Sequence, residues 1–457
     1  MRTESISINP ADGTLLGRYP AMDGAQLDAA LARASAGFRN WAALGQDARC
    51  THLQRLGAVL ASRREELARS ITLEMGKPIS LALAEVDKCA NLCNWYAENS
   101  GQMLADETTD FGPEGVATVR YLPLGTVLAV MPWNFPIWQV LRAAVPIMAS
   151  GNALLLKHAD NVQGSAHALA ECFSDAGFPD GAFLVVNADR EAITGLLGDP
   201  RICGVTVTAG VAAGSALASE AGRNLKKSLL ELGGSDPFIV LPDANLERAT
   251  TEAVRARFQN CGQVCIAAKR FLIHEEIFDA FTDSFVEKVR QIRVGDPLDA
   301  KTEMGPMARE HLRAEVHSLV TRSIDHGARV LLGGEIADGP GAFYPPTVLV
   351  DVTNDMPVCR EEVFGPVAPI LKVRSFDAAI ELANDSLFGL SASVWTGDPD
   401  LAARNAPRIN AGAVYVNGIS VSDPRVPIGG IKASGYGREL SHFGLKEFCN
   451  AQLCWLR

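Results

Sequence analysis

The chain has 457 residues and a net charge of −11. That length is more than one simple core can fill, so two or three domains are expected. The acidic balance argues against a nucleic-acid groove, which needs clustered Lys and Arg.

The N-terminus, MRTESISINPADG, is polar and lacks the apolar stretch of a signal peptide. Ten cysteines in so long a chain are not a disulfide framework. Together these features predict a cytoplasmic protein with free thiols. The longest apolar region, Val140 to Leu156, is broken by Arg142, Pro146, Ser150, Gly151 and Asn152, so no membrane span is expected.

The first hundred residues read as helices. Leu27, Leu31, Ala34, Phe38 and Trp41 recur at spacings of three and four and give one apolar face. Asp47 is expected to cap a second helix carrying Leu53, Leu56, Leu60, Leu67 and Ile71, ended by Gly76 and Pro78. A third runs from about Ile79 to Tyr96. Short apolar runs then alternate with helical segments. VLAVM (127–131), ALLLK (153–157), AFLVV (182–186) and GVTVT (204–208) read as buried strands, with helices at Ser165–Ala176 and Ala212–Ala221 between them. That alternation implies crossover units and a parallel sheet, the pattern of a nucleotide-binding α/β domain. A second series begins near SLLEL and continues with strands at 237–241, 270–274, 329–333, 347–352 and 367–373. Its helices are expected at Leu246–Phe258, Ile277–Val289 and Arg309–His326. The predicted domains are therefore 1–230, 231–425 and a return segment, 426–457.

Three segments suggest chemistry. Cys261 and Cys265 lie in QNCGQVCIAAKR. A zinc site needs a second ligand pair at suitable spacing, so no metal is expected. Most of the cysteines are read as packed core thiols. Cys265, between a helix and a strand and just after Gly-Gln, is a candidate nucleophile if it has thiolate character and access. Glu231 in LLELGGSDP is either a strand-end acid reaching solvent or a general base whose pKa is raised by an apolar setting. Asn134 in MPWNFPIWQ is either part of a rigid aromatic turn or an oxyanion donor.

PWNFP, LELGG and GQVC, with EEVFGP (361–366) and PIGGIKASGYGRE (427–439), resemble the motifs of the NAD(P)-dependent aldehyde dehydrogenase superfamily, in order and spacing, from about residue 5 to the C-terminus. Within it the chain most resembles bacterial short-form succinate-semialdehyde dehydrogenases. The resemblance implies two doubly wound, Rossmann-like α/β domains, for cofactor and catalysis. It also implies a small β flap for oligomerisation, formed by 115–125 and the C-terminal CNAQLCWLR, and hence a homodimer or homotetramer. By the same resemblance, Cys265 attacks the aldehyde, Asn134 and the Cys265 N–H hold the oxyanion, and Glu231 activates water to hydrolyse a thioester. Lys157 then reaches the adenosine ribose, while Glu362 and Phe364 hold and pack the nicotinamide ribose. Trp133, Thr208, Gly210, Gly214 and Leu232 line the cofactor. Asp160 favours NAD over NADP by repelling a 2′-phosphate, with NADP still possible.

Two positions depart from the family. Thr208-Ala209-Gly210 stands where Thr-Gly-Ser usually meets the pyrophosphate, and Ala143 replaces a lysine found in many members. For the substrate, the resemblance makes Arg142 a grip for a distal carboxylate, assisted by Ser422, with Trp138 beside it. A further family arginine is Gln259 here, which leaves the clamp incomplete. Glutarate semialdehyde and simple aliphatic aldehydes are the alternatives. A CoA-acylating enzyme is disfavoured by Glu231, a betaine-aldehyde enzyme by Arg142, and a non-catalytic homologue by the presence of all three catalytic candidates.

Overall fold

Apolar residues at helical spacing build the first layer. The structure is a computed structural model describing residues 3–336 and 338–457. Helix Gly24–Ala42 buries Leu27, Leu31, Ala34 and Trp41, and Asp23 closes its start in a capping box with Gln26. The predicted second helix is two. Gln46–Ser62 and Arg64–Met75 meet at Arg63, so Leu67 and Ile71 belong to the latter. Gly45, not Asp47, occupies the N-cap. Asp47 sits in the first turn, where a carboxylate still complements the helix dipole. Gly76 ends the helix in a left-handed conformation, φ 77°. Helix Ile79–Met103 follows and is longer than the periodicity suggested.

The apolar runs then form a six-stranded sheet. Its spatial order is Gly435–Tyr436, Lys227–Glu231, Ile202–Thr208, Thr126–Met131, Ala153–His158 and Phe183–Val185. All neighbours are parallel except the Gly435–Tyr436 edge. The run SLLEL, read as the start of the second series, closes this first sheet instead: Thr208 pairs with Glu231. Helix Trp138–Ala149 covers the first part of the longest apolar region, and every one of its residues is buried. None of the described helices is long and apolar enough to cross a membrane.

A seven-stranded sheet follows, ordered Arg329–Leu332, Thr347–Val350, Val367–Val373, Ala268–His274, Asp236–Val240, Ser391–Trp395 and Ala413–Val416. Only its first pair is antiparallel. The last two strands were not anticipated, and helices 246–258, 278–290 and 310–325 lie where the sequence places them. A third, antiparallel sheet joins Glu107–Asp110, Val116–Pro123 and Cys449–Leu456, the expected flap. Its C-terminal edge strand exposes Leu453, Trp455 and Leu456.

Candidate active site

Cys265 owes its position to a tight reversal. Helix Leu246–Phe258 stops, and Asn260, Cys261 and Gly262 take left-handed conformations in succession, φ 53°, 55° and 69°. Non-glycine residues rarely adopt this conformation, so the turn needs outside support. Arg257 supplies it from full burial, donating to the carbonyls of Gly262 (2.7 Å), Gly365 (2.8 Å) and Ala268 (3.0 Å). Lys269 supports the far side. Its ammonium donates to the Cys265 carbonyl (2.8 Å), the Gly234 carbonyl (2.8 Å) and Glu362 (2.7 Å).

Burial pushes the Cys265 thiol up to about 11, against the pull of Arg142 and Lys269, so a base is needed to make the thiolate. Glu231, at the end of its strand, is buried, and burial raises it to about 8 while Arg142 opposes the shift. Its charge is one of those that raise Cys265. No described residue hydrogen-bonds Glu231 Oε1. Asn134 is also buried, and its amide donates to the Gln263 carbonyl at 2.9 Å, tying it to the nucleophile's loop. The three predicted catalytic residues thus converge from three separate elements.

Trp133, Lys157, Asp160, Thr208, Gly210 and Leu232 lie at or just beyond the C-terminal ends of four adjacent parallel strands, flanking the point where strand order reverses. Ligands bind there in doubly wound sheets. Gly214 lies inside the helix that follows Gly210, and Glu362 and Phe364 come from the loop before strand Val367–Val373 of the second sheet. Gly210 is the N-cap of helix Val211–Arg223, makes no side-chain cap, and has open space where a Cβ would stand. Its turn can therefore approach a diphosphate through free N–H groups. Gly214 presses on Leu232, where an added Cβ would stand 2.4 Å from the leucine side chain. Lys157 and Asp160 are paired at 3.0 Å. Glu362 accepts from the Gly234 N–H at 3.0 Å as well as from Lys269. Phe364 meets Trp133 edge-on with ring centroids 5.7 Å apart. Thr208 is the exception: it is buried, and its hydroxyl faces the Arg142 guanidinium at 3.4 Å. These groups fit a dinucleotide: an uncapped helix start can take phosphates, and the Asp160 and Glu362 carboxylates can accept from sugar hydroxyls.

Cys265 opens on a cavity of about 620 Å³. Trp138, Arg142, Gln259 and Ser422 line it too, so all four predicted substrate residues share one chamber with the nucleophile.

Residues 2–454 match the aldehyde dehydrogenase family. The chain is 52% identical over 453 residues to the Escherichia coli succinate semialdehyde dehydrogenase [NAD(P)+] Sad, covering 99% of this chain and 98% of that one. It is 46% identical to a succinate-semialdehyde dehydrogenase [NADP(+)] of Mycolicibacterium paratuberculosis, over 98% and 96% of the two chains. The crystal structure of succinic semialdehyde dehydrogenase from Streptococcus pyogenes, in complex with NADP+, superposes with a TM-score of 0.96 at 34% identity, covering 99% of each chain. The chain belongs to the aldehyde dehydrogenase family.

Arg142, expected to grip a distal carboxylate, is already engaged in this dehydrogenase. Its guanidinium pairs with Glu439 and lies 3.8 Å from Glu231, all three side chains being buried. A buried arginine cannot shed its charge, so it takes the carboxylates within reach. It thereby offsets the charge of Glu439. Ser422 does not assist Arg142 either; it accepts from Lys88 at 2.9 Å.

Arg257, Lys269, Glu439 and Lys88 escaped the sequence reading. The first three flank or end recognisable motifs, and that adjacency was their only signal. Lys88 has none: it is one lysine on a long amphipathic helix.

Proposed function

We propose that this dehydrogenase oxidises succinate semialdehyde to succinate, with NAD as the preferred acceptor. The observation carrying this reading is the single chamber that joins Cys265 to buried cationic side chains, and the full-length similarity to the Escherichia coli enzyme supports it.

Cys265 Sγ adds to the aldehyde carbon after losing its proton to Glu231, whose charge is felt at the thiol. The amide of Asn134 and the Cys265 N–H face the developing oxyanion, stabilisation that costs about 10²–10³-fold in rate when one donor is removed. When bound, the nicotinamide cofactor supplies the hydride acceptor, held by Glu362, Phe364 and Trp133 on one side and by Lys157, Asp160 and the Gly210 turn on the other. The thioester left on Cys265 is hydrolysed by water that gives its proton to Glu231. Asp160, partly exposed beside Lys157, supports NAD over NADP by charge repulsion of a 2′-phosphate. The first sheet and its helices serve as the cofactor domain, and the second sheet carries the nucleophile.

Two further readings complete the proposal. The exposed apolar edge strand Cys449–Leu456 supports a homodimer or homotetramer, since such an edge is otherwise a liability. All ten cysteines are free, which suits the cytoplasm. The test of function is kcat/KM for succinate semialdehyde, glutarate semialdehyde and butanal against both cofactors. Highest values for succinate semialdehyde with NAD are expected; a preference for butanal would overturn the substrate assignment.

A further inference from the structure

The chamber beside Cys265 contains several cations, and most are already spoken for. Lys77 is fully buried and paired with Glu85. Arg142 is held by Glu439 and Glu231. Arg255 and Arg293 are largely exposed and stand near Glu252 and Glu303, at 3.7 and 3.6 Å, and Lys301 lines the chamber from an exposed position where water already solvates its charge.

Lys88 differs. It projects from helix Ile79–Met103 into the chamber. Its Nζ sits 3.9 Å from the centroid of the Trp138 ring and donates to Ser422 Oγ at 2.9 Å. Among the described residues no carboxylate lies within 4.0 Å of it. An ammonium has three donors, and here one is used.

We propose that Lys88, positioned by Ser422 and Trp138, binds the distal carboxylate of the substrate and so selects ω-carboxylated aldehydes. This rests on the succinate semialdehyde reading above and assigns the anchoring cation that Arg142 does not provide.

The setting suits an anion. The indole face draws a cation close without neutralising it. The Ser422 hydroxyl accepts from Lys88 and keeps its own hydrogen to donate to the same carboxylate. Burial pushes Lys88 down to about 8, so the ammonium remains charged at neutral pH, and a carboxylate brought to it would offset that desolvation. A lysine is also less demanding than an arginine fork, because a point charge imposes no bidentate geometry. Selection for charge rather than for carboxylate orientation follows.

The experiment compares wild type, Lys88→Met, Lys88→Arg and Ser422→Ala on succinate semialdehyde and on butanal, which has the same carbon count without the carboxylate. Lys88→Met should raise KM for succinate semialdehyde by about ten- to a hundredfold, the range of a lost charge-assisted bond. Its kcat, and both constants for butanal, should stay within about twofold. Lys88→Arg should recover much of the loss, and Ser422→Ala should show a smaller loss of the same kind. Binding of succinate as a dead-end inhibitor, followed by its protection of Cys265 from iodoacetamide, gives a readout independent of turnover and should weaken in Lys88→Met. If wild type prefers succinate semialdehyde and Lys88→Met keeps that preference, the anchor is wrong while the function stands. If wild type favours butanal, both fall. Equal losses on both aldehydes in all three variants would show a structural role and overturn the proposal.

Discussion

Arg142 stands between two buried carboxylates, paired with Glu439 and 3.8 Å from Glu231. Its charge holds Glu231 down against the effect of burial. Removing it leaves two buried acids facing each other with no cation between them. Arg142→Ala should therefore destabilise the fold by about 3–5 kcal/mol, the usual range for breaking a buried ion pair from one side. It should also shift the rise of kcat with pH to higher pH, because Glu231 would be harder to ionise. A thermal melt and a kcat–pH profile test this. A selective rise in KM for succinate semialdehyde, with the pH profile unmoved, would instead restore Arg142 as a substrate clamp.

Glu231 must be ionised to accept a proton, and burial raises it to about 8. The expected kcat therefore climbs with pH and levels off above about 8. Stability should run the other way. A carboxylate raised in the folded state binds more protons folded than unfolded between its ordinary value, about 4.5, and about 8, so ionising it costs stability as pH rises through that window. Glu231→Gln should lose steady-state turnover yet gain thermal stability over wild type, by a margin that grows from pH 5 to pH 8. Because Glu231 also serves as the base for Cys265, the variant should form the succinyl thioester only slowly, faster at high pH where the thiol ionises unaided, and then hold it, visible by intact mass after long incubation. Turnover at the wild-type rate would remove Glu231 from hydrolysis.

The sequence disclosed the parts of this site that are local and left out those that depend on approach in space. Asn134, Glu231 and Cys265 sit in motifs, and the strand periodicity placed each beside an element end. The pairing of Arg142 with Glu439 joins residues far apart in the chain, so no local pattern could show that the arginine was already engaged. Lys88 illustrates the same limit: its helix was foreseen, but the chamber it faces is closed by Trp138 and Ser422 from elsewhere in the chain. The run SLLEL was read as the opening of the second series because both sheets have Leu- and Val-rich strands, and only strand pairing shows that Lys227–Glu231 belongs to the first. Strands Ser391–Trp395 and Ala413–Val416 were missed because Ser, Ala and Gly around them dilute the apolar signal.

Asp160 pairs with Lys157 at 3.0 Å and remains partly exposed. A 2′-phosphate on the adenosine ribose would meet this carboxylate, whereas a 2′-hydroxyl can donate to it. Asp160→Ser should raise kcat/KM for NADP by about tenfold, the equivalent of about 1.4 kcal/mol, and lower it for NAD. The ratio of the two constants in wild type and variant is the measurement. The Mycolicibacterium paratuberculosis relative is named for NADP(+), so the outcome also bears on how readily the specificity of this scaffold changes. A wild-type preference for NADP above tenfold would overturn the role given to Asp160.

Arg257 holds the reversal that presents Cys265. It is fully buried and faces three carbonyls, no carboxylate among the described residues lies within 4.0 Å of it, and burial pushes it down to about 10. Such a residue is tolerated only because its planar fork satisfies several acceptors at once. Lysine carries the same charge but cannot span the carbonyls of Gly262, Gly365 and Ala268 with a single nitrogen. At least one carbonyl would then stay buried and unpaired, a cost of about 1–3 kcal/mol. The left-handed residues Asn260 and Cys261 would lose the support that offsets their strain. Arg257→Lys should still fold, with a lower melting temperature, a kcat reduced at least tenfold and slower alkylation of Cys265 by iodoacetamide. Aldehyde KM should change little, because Lys88 and Trp138 lie on other elements. A variant with wild-type kcat and alkylation rate would show that the loop keeps its shape without the guanidinium.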